Sequence, residues 1–181
     1  MVFDLTDRGI GSYPLTVGTA GTGTTATEYR NLRDRTTVLA MAGTMPAITA
    51  GAHAYGLKIY TFPAGVHRVT RVTMSVGLDG ADSNNDADTP EVGVGSIIAA
   101  GSVSNLTGTT GFDDLSTQAT AANLTGTATV FAFDPTEIGM KMNLSTGVKT
   151  VYVNIADTWA GSDTGPVLSG TVTIEWTYEG P

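Results

Sequence analysis

The chain has 181 residues, enough for one domain with a full hydrophobic core and too few for two comfortable ones. Charged residues make up only 14%, about half the usual share, while there are 23 glycines and 31 threonines. Thr is β-branched and loses little by being extended, and Gly supplies turns, so many short strands joined by tight turns are expected. Cysteine is absent, which excludes a disulfide framework and any thiolate metal site.

Met1 to Gly11 is mixed and polar where a secretory leader would be apolar. No apolar run approaches the roughly 18 residues that span a bilayer. These features predict a product of the cytoplasm with no membrane partner. Three Asn-x-Ser/Thr triplets, at Asn105, Asn123 and Asn143, are then chance products of a Thr-rich chain. The net charge of −8 is unevenly placed. Residues 1–35 carry Asp4, Asp7, Glu28 and Asp34 against Arg8, Arg30, Arg33 and Arg35, which cancel. The thirteen acids and five bases that remain supply the whole imbalance. Such an acidic body repels nucleic acid.

In chain order, Leu15 to Thr27 is built from Gly, Thr and Ala with little to bury, and it is followed by the charged octet Glu28 to Arg35. Residues 1–35 therefore read as an extended N-terminal arm. Tyr29, Arg30, Leu32, Arg33 and Arg35 are its expected partner contacts, since an aromatic, an aliphatic and clustered guanidinia suit an acidic neighbour. Residues 36–181 read as the folded domain. Strands are expected at Thr37 to Met41, Tyr55 to Phe62, Arg68 to Leu78 and Glu91 to Ala100. Further strands are expected at Thr127 to Phe133, Lys149 to Ala156 and Leu168 to Tyr178. The strongest alternation is in the third, with Val72, Met74, Val76 and Leu78 on one side. In Glu91 to Ala100 the glycines mark positions where another backbone lies close. Phe112 to Asn123 fits either a short helix, capped by Thr110 or Asp113, or an irregular excursion over the sheet. About eight strands with no long helix predict an all-β fold, a single β-sandwich of jelly-roll-like form.

Chemistry-bearing residues are few. His53 sits in a loop of small residues and His67 beside Arg68; both read as structural rather than as partners of a nucleophile. The carboxylate pairs Asp113–Asp114, Asp134–Glu137 and Glu175–Glu179 are candidates for glycoside hydrolysis, but turn and cap roles explain them better. In the acidic loop 79–91, Asp82, Asn84, Asp86 and Asp88 fall on alternate positions, as calcium ligands would. Ala87 and Gly93 stand where that motif needs Gly and Glu, so a solvated loop is the expected state. No enzyme activity, cofactor or resident metal is expected.

Four segments, Pro90 to Gly101, Phe112 to Gly126, Val151 to Ala160 and Leu168 to Trp176, resemble small structural proteins of tailed bacteriophage heads. The resemblance implies a β-sandwich virion protein on the head surface, acting as a capsid decoration or cement protein. Its implied partners are the major capsid protein and copies of itself, with closed symmetry such as a trimer. A receptor-binding or fibre-tip module for cell-surface sugars is the alternative, with Trp159, Tyr13 or Tyr55 as the stacking aromatic.

Overall fold

The computed structural model describes residues 18–30, 34–121, 123–124, 129–132, 136–143 and 149–180. The chain is a sandwich of two antiparallel sheets of six strands each. The strands are β1 (Thr19–Ala20), β2 (Thr24–Arg30), β3 (Asp34–Thr44), β4 (Ala54–Thr61), β5 (Val66–Asp79) and β6 (Glu91–Gly95). They continue with β7 (Ala100–Gly101), β8 (Ser116–Thr120), β9 (Thr129–Ala132), β10 (Thr136–Asn143), β11 (Thr150–Ala156) and β12 (Val167–Gly180). The first sheet runs β1-β4-β11-β6-β8, with β7 also on β4. The second runs β10-β5-β12-β3-β2, with β9 also on β5. The sandwich expectation holds. The pairing does not establish a jelly-roll winding, and the described residues form twelve strands where about eight were expected.

The long strands β5 and β12 lie side by side at the centre of the second sheet. Their alternation places Val72, Met74, Val76, Leu78, Leu168, Val172, Ile174 and Trp176 in the core, all nearly inaccessible. Ile59, Val92, Val94, Val151, Val153 and Ile155 from the first sheet meet them there. The register between β5 and β12 shifts between Glu175 and Trp176, so that Glu175 opposes Arg71 while Trp176 opposes Val69. Thr70 is the extra residue, and its hydroxyl donates to the Glu175 carbonyl at 3.1 Å. Such a bulge exchanges the inward and outward sides of the strand. It brings Val69 and His67 onto the same side as Val72 and Met74.

One expectation changes and one open choice is decided. The described part of 1–35 is not an arm set apart from the body: β1 pairs with β4, and β2 pairs with β3 along its whole length. The physical reason is backbone contact rather than side-chain burial. Gly21 lies so close to Lys58 and Ile59 that no Cβ would fit, and its N–H donates to the Ile59 carbonyl at 2.8 Å. Gly23, at φ +68, turns the chain from the first sheet into the second beside Gly43. Leu32 and Arg33 lie outside the described residues, as do residues 1–17 and Asp134. The open choice at Phe112 to Asn123 falls against the helix: its described residues form turns and then β8.

A second, smaller core lies on the outer side of the first sheet. There Ala99, Leu106 and Phe112 from the 96–115 excursion cover Ala54 and Ala156. Buried Asn154 in β11 fastens it. Its side-chain oxygen accepts from the Ala99 N–H, and its amide donates to the carbonyls of Ile97 and Phe112. Gly95 carries no Cβ because the carbonyls of Gly111 and Phe112 press directly on it. Gly95 thus has the close backbone neighbour expected of it, whereas Gly93 faces the side chains of Asp113, Leu106 and Gln118.

Candidate functional site

The residues singled out by sequence fall at three places on the sandwich. At one end, the charged octet splits between surface and interior. Tyr29 is 60% exposed and Arg30 is exposed with it. Arg35 is not a surface contact: its guanidinium lies 4.9 Å over the Trp176 ring and 5.8 Å from that of Tyr178. Glu28 turns inward, accepting from the Tyr60 hydroxyl at 2.5 Å and from the Gly18 N–H at 3.1 Å. Burial, reinforced by the Glu28 carboxylate, pushes the Tyr60 phenol far above its ordinary value. His67 completes the cluster, stacked on Phe62 and edge-on to Trp176. Its Nε2 contacts the Pro63 carbonyl at 2.8 Å. Desolvation holds its pKa below the usual imidazole range. This end is therefore an aromatic plug with internal charges matched to it.

At the other end, the loops 45–53, 79–90 and 157–166 interlock. Asp82 and Asp163 face each other reciprocally. The Asp82 N–H donates to the Asp163 carboxylate at 3.1 Å, and the Asp82 carboxylate accepts from the Thr164 N–H at 3.0 Å. Asp163 also accepts from the Gly165 N–H at 2.8 Å. Asp88 accepts from the Ala160 N–H, buried Asn85 from the Gly161 N–H, and Asp157 from the Thr89 N–H. A carboxylate on a backbone N–H is a strong, charge-assisted bond, so these side chains tie one loop to the other. Of the four proposed calcium ligands, Asp82 and Asp88 work in this clasp and Asn84 reaches the Ser162 carbonyl at 3.5 Å. The backbone carbonyl of Asp86 accepts from Leu124. Among the described residues no group of three or more His, Asp or Glu side chains is arranged to hold a metal ion.

Beside the clasp is a shallow pocket of about 230 Å³, lined by residues 49–53 and 159–162. Trp159 forms part of its wall. Its indole N–H donates to the His53 carbonyl at 2.9 Å, and its ring meets Tyr55 edge-on, 6.2 Å between centroids. Trp159 therefore caps this end of the sandwich. The third place is the covered side of the first sheet, where Ile97 and Ile98 are 48% and 46% exposed at the tip of the excursion.

The remaining carboxylates hold structure together. Both oxygens of Asp114 bind Ser96, at 2.7 Å to its N–H and 2.6 Å to its hydroxyl. Glu91 accepts from the Leu106 N–H at 2.6 Å. Glu175 and Glu179 pair with Arg71 and Arg68 on the outer side of the second sheet. Asp113 carries a raised pKa, through desolvation first and then the nearby charges of Asp114 and Glu91. Sequence reasoning missed Glu28, Tyr60, Asn154 and Asp163; nothing local marks them, because each is defined by a partner distant in the chain. Compared with protein-family models, curated proteins and solved structures, the chain matches none.

Proposed function

We propose that the chain is a non-enzymatic virion structural protein, a capsid decoration or cement protein that binds the major capsid lattice and stabilises the head. The observation carrying this reading is how the polar side chains are used. His67, Asn154, Asp82, Asp88, Asp114, Asp157 and Asp163 each bind backbone of the fold itself. Large apolar or aromatic side chains are exposed at Tyr29, Ile97 and Ile98. A rigid body with adhesive edges suits repeated display on a lattice, where weak contacts add up. The particle itself comes into the reading through the likeness of the four segments to phage head proteins.

Cosedimentation with capsids assembled without this protein tests the proposal. Saturable binding is expected, weakened by Ile97→Ser combined with Ile98→Ser at the exposed tip of the excursion; no binding to capsids would overturn it. The pocket beside Trp159 keeps a sugar-binding module as the second reading. Saturable binding on a glycan array, lost on Trp159→Ala, would favour that reading instead.

A further inference from the structure

We infer that β2 is a docking edge for a second copy of this chain, pairing antiparallel with its own counterpart about a two-fold axis at Thr27. Among the described residues, β2 is paired on one side only, with β3. It runs seven residues with no register shift. It has no proline, lysine or bulge; its two charged residues are Glu28, which is engaged internally by Tyr60, and Arg30. The other edges differ. β1 and β7 are two residues each, while the ladders of β8 and β10 contain register shifts.

The hydrogen-bonding phase of the edge follows from the turn before it. The Ala42 N–H donates to the Gly23 carbonyl, so Gly23 and Ala42 form a bonded pair. Alternation then directs the N–H and C=O of Thr25, Thr27 and Tyr29 toward β3. Those of Thr24, Ala26, Glu28 and Arg30 point away from it. Pairing centred on Thr27 sets Ala26 opposite Glu28 of the second copy, both with outward groups, and brings the Thr24 carbonyl to the Arg30 N–H, the Thr24 N–H being held already by the Gly21 carbonyl at 3.2 Å. No like charges oppose each other. On the outer side, Thr27 meets its own counterpart and Tyr29 meets Thr25, an aromatic on a β-branched residue. This covers the most exposed large side chain described, Tyr29.

An isologous contact of this kind is self-limiting and leaves the rest of the surface free for a lattice. The inference deepens the structural-protein reading but stands without a particle: failure to bind capsids leaves it intact, and its own failure leaves capsid binding intact.

Because the chain has no cysteine, Thr27→Cys introduces a single thiol at the proposed axis. Directly opposed residues of a non-bonded antiparallel pair are close enough for a disulfide. The full-length variant is expected to form a disulfide-linked dimer on mild oxidation, and Thr25→Cys, whose counterpart is Tyr29, to form far less. The unmodified chain is expected to have twice its 18.6 kDa mass by light scattering. Ala26→Pro, which removes only an outward N–H, is expected to return the mass to that of the monomer with an unchanged far-ultraviolet spectrum. Thr27→Glu, which opposes two carboxylates at the axis, provides the same reading should the proline variant misfold. A monomeric native chain, or a dimer indifferent to all these changes, overturns the inference.

Discussion

Asn154 and His67 show how much can rest on one buried polar side chain. Replacing Asn154 with Ala leaves the Ala99 N–H and the carbonyls of Ile97 and Phe112 without their partner. A loss of about 3 kcal/mol is expected, read as a fall of roughly 6–12 °C in Tm. His67 acts through its proton. Its folded pKa is lowered by desolvation, so the unfolded chain takes up the proton first as pH falls. Stability is therefore complete above about 6.5 and is lost below it, by up to about 1.4 kcal/mol per pH unit. Urea titrations on either side of that value should show the loss, and His67→Phe should abolish it. Asp88 and Asp113 have the opposite sign. Their raised pKa values favour the folded state as pH falls toward 3.8, a separate and more acidic window. Local sequence makes His67 look exterior, because straight alternation from Val72 would turn it outward. The bulge at Thr70 reverses that, and a bulge depends on the partner strand.

The loop clasp and the 96–115 excursion are elements held by contacts between distant segments. Asp163→Ala removes the acceptor for the N–H groups of Asp82 and Gly165 and should cost about 2–3 kcal/mol. Hydrogen exchange at those amides should accelerate while the β5–β12 ladder stays protected. Adding calcium should leave the melting temperature unchanged, since Asp82 and Asp88 already bind backbone amides. Gly95→Ala forces a methyl into the carbonyls of Gly111 and Phe112, and about 2 kcal/mol of destabilisation is expected by thermal unfolding. The acidic loop was legible as a polar connection. The other half of the clasp, loop 157–166, carried no local sign of its role, because clasping is a property of two loops at one end of a sandwich.

For the whole molecule, the decisive difference is where the domain begins. A chain lacking residues 1–35 loses β1, β2 and Glu28, which uncovers the edge of β3 and strips the Tyr60 hydroxyl of its acceptor. It should still fold, with a Tm lower by roughly 10 °C, as expected for a loss of about 3–4 kcal/mol. An arm separate from the body would leave the melting temperature where it was. The same seven-residue strand is the edge assigned to self-pairing, so stability and association are linked through one element.

The sequence by itself determined the all-β class, the alternating strand at Arg68 to Leu78, and the close backbone approach at Gly95 in β6. Each depends on a local rule: period-two burial or the missing Cβ. The tertiary structure alone decided that a Gly- and Thr-rich segment is an integral edge strand, that Glu28 and Arg35 turn inward, and that the acidic loop binds amides. Those outcomes depend on backbone groups and neighbours supplied by other strands. Composition counts what a segment can bury of its own. It is silent on the hydrogen bonds and contacts that another part of the chain will offer it.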